Sequence, residues 1–250
     1  VNDTQTPSPP RHIVNAYDAE LKALHGLITR MGEIACRQID DAIAAIVNRD
    51  GTLAQTVMQG DSELDALERE VESHTVRLLA LRQPMARDLR DVVGALRIAS
   101  NLERIGDFAA NVAKRSLALQ SLPVIELTRS LQPIGRAVAE MLREVMRVYH
   151  TDDLAAALAV RSRDEEVDRA YTALFRELLT YMMESPQRIT ACTHLLFVAK
   201  NLERIGDHTT NIAETICFRI QGREPEGERS KGDESSFTVV MAKDVTGPVP

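Results

Sequence analysis

The chain has 250 residues, enough for one large domain or two small ones. Aromatic residues make up 4% and Trp is absent, while Ala, Leu, Arg and Glu are abundant, which favours long helices over a sandwich or barrel. A formal net charge of −7 opposes nucleic-acid binding, and no run of about 18 apolar residues is available to span a membrane.

Residues 1–11 open with VNDTQTPSPP and read as a disordered leader. No signal peptide precedes the helical region, and the cysteines Cys36, Cys192 and Cys217 show no metal-ligand spacing. They read as small buried hydrophobes in a reducing compartment, so the expected location is the cytoplasm. From Val14 the apolar residues Tyr17, Leu21, Leu24, Ile28, Met31, Ala35, Ile39, Ala42 and Ile46 follow in steps of three and four. That spacing is the seam of one long helix. Asp50-Gly51-Thr52 ends it and opens a second helix, which reaches about Leu81 and stops at Gln83-Pro84. A third helix runs from about Ala86 to Leu119, with Asp88 in its first turn, where the helix dipole favours an acid.

Ser121-Leu122-Pro123 breaks the pattern and separates two units, 12–121 and 122–221. In the second, a fourth helix is expected from about Val124 to His150, with Pro133 bending it or displacing its start. Thr151-Asp152-Asp153 caps a fifth helix, which runs to about Glu184. After Ser185-Pro186 a sixth continues from about Arg188 to Ile220. The tail, 222–250, is rich in Gly, Glu, Pro and Ser and reads as disordered, with FTVVM at Phe237–Met241 as a small apolar island.

The heptapeptide Asn-Leu-Glu-Arg-Ile-Gly-Asp occurs at Asn101–Asp107 and again at Asn201–Asp207. Other landmarks pair at similar spacing: Pro84 with Pro186, Asp61 with Asp164, Asp65 with Asp168, Asn111 with Asn211. The chain is a tandem duplication of a three-helix unit, too long a period for a solenoid and suited to repeated bundles.

Each copy carries two acidic pairs at i, i+4: Asp61/Asp65 and Glu103/Asp107, then Asp164/Asp168 and Glu203/Asp207. Residues four apart share a helix face. One pair lies on the middle helix and one on the third of each unit, and short connections make those helices antiparallel neighbours. Facing pairs would gather four carboxylates, which is unfavourable unless they are protonated, paired or metal-bound. Arg104 and Arg204 adjoin the Glu of each motif, but i and i+1 point about 100° apart on a helix. A multivalent cation is the other partner, and an all-oxygen donor set favours Mg²⁺, Mn²⁺, Ca²⁺ or iron in a carboxylate site. The bland alternative, acids on a solvated helix surface, stays open at this stage. Gly106 and Gly206 inside helices imply close packing or room for a bound group. Asn111 and Asn211 are candidate donors to the acids, while His208 has no counterpart, Phe108 filling that place, and reads as a non-ligand.

The two Glu-Arg-Ile-Gly-Asp motifs, the Asp61 and Asp164 pairs, and the segment Arg82-Gln83-Pro84-Met85-Ala86-Arg87-Asp88-Leu89-Arg90 closely resemble the PhoU family of phosphate-transport accessory proteins. The resemblance covers about residues 12–220. It implies an all-α fold of two tandem three-helix bundles related by a pseudo-twofold. It implies multinuclear iron or zinc clusters at Asp61, Asp65, Glu103, Asp107, Asp164, Asp168, Glu203 and Asp207. It further implies negative regulation of the phosphate-starvation response, through contacts with the ATPase subunit of the phosphate ABC transporter and a sensor histidine kinase, and homodimers. The second copy lacks the Asp-Leu-Arg of Asp88–Arg90, so the two sites are expected to differ in affinity.

The residues oppose two other functions. A carboxylate-bridged metalloenzyme of ferritin-like type needs Glu-x-x-His on paired helices, and that motif does not occur. A DNA-binding repressor is opposed by the acidic balance and by the lack of a basic recognition helix.

Overall fold

The computed structural model describes residues 11–226 and 232–238; the leader before Arg11, and the tail residues 227–231 and 239–250 with most of the apolar island, lie outside the described residues. Six long helices carry the fold: α1 (Arg11–Asn48), α2 (Gly51–Arg82), α3 (Arg87–Gln120), α4 (Leu131–Thr151), α5 (Leu154–Glu184) and α6 (Ile189–Gln221). Among the described residues there is no strand, and no helix is long and apolar enough to cross a membrane. The architecture is two tandem three-helix bundles, α1–α3 and α4–α6, in one all-α body.

The predicted seam of α1 is the buried one: Leu24, Ile28, Met31, Ala35, Ile39, Ala42 and Ile46 are all at most 2% exposed. The first turn of each copy is built alike. Arg49 and Asp152 adopt left-handed backbone (φ 55° and 52°), and the following aspartate caps the next helix. Asp50 accepts from the Leu53 amide and Asp153 from the Ala156 amide, each at 3.0 Å. Such a cap satisfies one of the four amides that a helix N-terminus leaves without partners.

Helix α4 begins seven residues later than the apolar pattern suggests, after a 3-10 turn at Glu126–Ser130. Pro133 explains the displacement. Without an N–H, it is tolerated only in the first turn, where that donor has no intrahelical acceptor.

The two bundles meet chiefly along α3 and α6, and α1 also packs on α4, so one apolar core runs through both copies. Arg219 of α6 is 4% exposed and lies at this junction. It pairs with Asp152, lies 3.6 Å from Asp91 of α3, donates to the Tyr149 carbonyl at 2.8 Å and covers the Tyr149 ring at 4.6 Å. Nearby, the Arg90 guanidinium donates to the Arg219 carbonyl at 3.3 Å.

Composition assigns the whole tail to disorder, but Gly232–Thr238 lies against the second bundle. The Gly232 amide donates to Asp168 at 2.8 Å and the Glu234 amide to Thr172 Oγ1 at 3.2 Å. This docking is polar and uses backbone donors, which composition does not register.

Candidate functional site

In the first bundle the α2 and α3 pairs face each other, as their helical phase requires. The Asp61 carboxyl is raised by burial and by the charges of Asp107 and Asp65. Glu103 is pushed up to about 7 by burial first, then by Asp107 and Glu68, with Arg104 opposing and Asp65 adding to the rise. Asp61, Asp65, Glu103 and Asp107 are therefore within electrostatic reach of one another, and all four are half-buried.

Glu68 is a fifth member that the pair motif missed. It follows Asp65 by three residues on the same face of α2, a helical spacing readable in retrospect. Its carboxyl is raised by burial and by Glu72, and a hydrogen bond from Ser100 works the other way. Arg104 corrects a sequence expectation. Despite its i+1 position, it reaches Glu103 at 3.6 Å and Asp107 at 3.3 Å, because the long side chain folds back along the helix. Asn111 is exposed.

In the second bundle Asp164, Asp168 and Glu203 are buried (1, 2 and 5% exposed) and Asp207 is half-buried. Glu203 is pushed up to about 7 by burial, against the pull of Lys200; Asp207 and Asp168 add to the rise. The copies differ in two ways that the repeat motif does not announce. Where the first has Glu68 and Ser100, the second has Tyr171 and Lys200. The Lys200 ammonium contacts Glu203 at 2.8 Å and Asp233 of the tail at 3.0 Å, and lies over the Tyr171 ring at 4.9 Å. Burial would pull this ammonium down, but hydrogen bonds to Glu203 and Asp233 raise it, so it stays charged.

The heptapeptides themselves meet across the α3/α6 junction. Asn101 Oδ1 lies 2.8 Å from His208 Nδ1 and accepts from Asn211 Nδ2 at 3.4 Å. Phe108 packs on the His208 ring, and Arg204 lies over Phe108 at 5.6 Å. Asn211 and His208 thus serve the contact between copies. The glycines of the motif are packing residues: a Cβ at Gly106 would collide with the Leu64 side chain, and one at Gly206 would lie 3.2 Å from Asp164 Oδ1.

Among the described residues, no group of three or more His, Cys, Asp or Glu side chains is gathered closely enough to hold a metal ion. The acids form two loose electrostatic clusters rather than closed chelates.

The family described as PhoU domain matches residues 28–116 and 131–216, one match in each bundle. A phosphate-specific transport system accessory protein PhoU homolog of Caulobacter vibrioides is 56% identical over 223 residues, covering 89% of this chain and 97% of the relative. The homolog of the same name in Rhizobium meliloti is 49% identical over 226 residues, covering 90% and 95%. The crystal structure of PhoU from Pseudomonas aeruginosa superposes with a TM-score of 0.80 at 36% identity, covering 83% of this chain and all of that one. The phosphate transport system regulatory protein PhoU from Streptococcus pneumoniae gives 0.78 at 27% identity, covering 84% and 99%. Both copies of the repeat, the order of the helices and nearly the full length of these relatives are accounted for, and the chain belongs to the PhoU family.

Proposed function

We propose that this chain is a non-catalytic accessory protein of phosphate transport, a cytoplasmic negative regulator of phosphate uptake and of the phosphate-starvation response. Its output is contact, as a homodimer, with the ATPase subunit of a phosphate ABC transporter and with a sensor histidine kinase. The observation that carries this reading is the match, over nearly their whole length, to relatives named as accessory proteins of the phosphate-specific transport system. Deletion of the gene tests it: starvation-induced genes should become constitutive in phosphate-replete cells. Normal repression in that strain would overturn the reading.

The same reading includes a multivalent cation at each acidic cluster. The donor set supports it: every candidate ligand is a carboxylate oxygen, and Glu103 and Glu203 both carry repulsion that a cation would relieve. Buried Glu203 Oε2 has no hydrogen-bond partner among the described residues. Asp61, Asp65, Glu103 and Asp107 would face one ion and Asp164, Asp168, Glu203 and Asp207 the other, and each set would have to draw inward from the open arrangement described above to chelate it. The candidates are iron or zinc, and also Mg²⁺ or Mn²⁺. Elemental analysis of untagged protein purified without chelator, set beside a Glu103→Gln/Asp107→Asn variant, identifies the metal and localises it.

A further inference from the structure

The surface seam between α3 and α6 sets guanidinium groups on aromatic rings along its length. Arg97 of α3 lies over the Phe218 ring at 5.4 Å, Arg204 of α6 over Phe108 at 5.6 Å, and Arg115 of α3 over Phe197 at 4.1 Å. Such stacking holds a cation in place without neutralising its charge. Arg97, Arg204 and Phe197 are exposed, Phe197 to 50%, and the other three are half-buried. From Arg97 to Arg115 the seam runs for about five helical turns, or about 27 Å.

The acids of the two helices are engaged elsewhere. Glu103 and Asp107 take Arg104, Glu203 takes Lys200, and Glu214 pairs with Arg161 of α5 at 2.8 Å. Among the described residues Arg97, Arg115 and Arg204 form no ion pair. Burial pulls the Arg115 guanidinium down, and no acid offsets it. In a chain of net charge −7, three cations held in a row without counter-charge make a strip of positive potential between two acidic clusters.

We propose that the α3/α6 seam is a docking surface for an α-helix of a partner protein, with an acidic stripe of that helix turned to the seam. This rests on the contact reading above, for which it supplies a surface. Acids three and four residues apart form a ridge along one face of a helix, and about 18 residues of helix match the length of the seam. Their carboxylates meet guanidiniums already held on rings, so little side-chain freedom is lost on docking. The flanking clusters set a second requirement. A helix is about 10–12 Å across, so its sides overlie Glu103 and Asp107 in one direction and Asp207 in the other, and basic residues there complete the match. A nucleic-acid strand carries a negative charge on every nucleotide and has no basic flanks, so the same clusters repel it.

The probe is a stapled helical peptide of about 18 residues, with Glu along one stripe and Lys on the two flanking stripes; its control has the Glu and Lys stripes exchanged. Binding to the full chain is read by fluorescence anisotropy at low salt, where surface charge is least screened. The acid-ridged peptide should bind at least about ten-fold tighter than the control. Arg97→Gln/Arg204→Gln should remove that preference, and Arg97→Lys/Arg204→Lys should keep most of it. Both arginines are exposed, so both variants should melt as wild type does. Equal binding of the two peptides, an undiminished preference in the Gln variant, or tighter binding of oligo-dT than of the acid-ridged peptide would overturn the assignment. In cells the Gln variant should derepress starvation genes as gene deletion does. Derepression on deletion with normal repression by the Gln variant would overturn the seam and leave the contact reading standing. Normal repression in both would overturn the contact reading and leave the seam to be decided by the peptides.

Discussion

Asn101, in the first copy of the heptapeptide, and His208, directly after the second, face each other 2.8 Å apart across the α3/α6 junction. The symmetry-related pair would be Asn201 and Phe108, and a phenyl ring cannot make this bond. The polar contact therefore exists on one side of the pseudo-twofold only. Replacing Asn101 by Ala should cost about 1 kcal/mol, the usual net worth of one hydrogen bond. A cycle of Asn101→Ala, His208→Phe and the double variant should return a coupling near that value in chemical denaturation. Strict additivity would mean that the two side chains do not stabilise the junction.

Two helical glycines should respond to alanine with opposite signs. Gly106 is closed off by Leu64, whereas Gly26 on α1 is exposed and a Cβ there meets nothing within 4 Å. Gly106→Ala should destabilise by about 1–3 kcal/mol through overpacking. Gly26→Ala should stabilise by about 0.5–1 kcal/mol by narrowing the unfolded ensemble and restoring helix propensity. Thermal melts of both variants against wild type decide the point.

Arg219 should behave as a buried guanidinium that joins the two bundles. Its removal as Arg219→Ala leaves Asp152 and Asp91 to Arg87 alone, at 2.7 and 4.0 Å, and orphans the Tyr149 carbonyl at the junction of the two bundles. The expected loss is about 2–3 kcal/mol, from the unsatisfied Tyr149 carbonyl, the lost charge-assisted bonds and the packing removed from the Tyr149 ring. A loss below about 1 kcal/mol would place the network in the class of surface pairs.

The acidic clusters predict a pH dependence of definite sign. Glu103 and Glu203 titrate near 7 in the folded chain, above their ordinary value of 4.5, so the native state binds more protons than the unfolded one across that interval. Stability contributed by these groups is complete below about 4.5 and falls as pH rises toward 7. Melts in chelator should show a Tm lower by several degrees at pH 7.5 than at pH 5.5, with each group contributing at most about 3 kcal/mol. Glu103→Gln should remove part of the slope, and millimolar Mg²⁺ or Mn²⁺ should restore Tm at the higher pH. A flat profile in the same window would mean that neither burial nor the neighbouring acids hold the two glutamates above their ordinary value.

The helices were legible because their signals are local and repeated. The seam from Leu24 to Ile46, the aspartate caps Asp50 and Asp153, and the stop at Gln83-Pro84 all follow from spacing and capping chemistry. Pro133 left two outcomes open, a bend or a later start, and the first-turn rule decided it. In the first bundle the acidic pairs come within electrostatic reach of one another, because period fixes which side of α2 and α3 they occupy, but they do not close into a chelate. Glu68 lies outside the i, i+4 pairs, and Lys200 lies outside the repeated heptapeptide, since it marks where the copies differ. The Arg104 Cβ points away from Glu103, but the length of the side chain lets the guanidinium return to both acids. The docking of Gly232–Thr238 is hidden for a different reason. It docks through amides, Asp233 and a close approach at Gly232, and none of these makes an apolar pattern.

The α3/α6 junction makes the chain a symmetric pair of subunits joined into one polypeptide. In a true dimer of single repeats, every residue on the axis would be matched by its own copy, and a change at one place would occur at both. Covalent fusion removes that constraint. Phe108 and His208, Ser100 and Lys200, and Glu68 and Tyr171 are places where each half has been free to change alone.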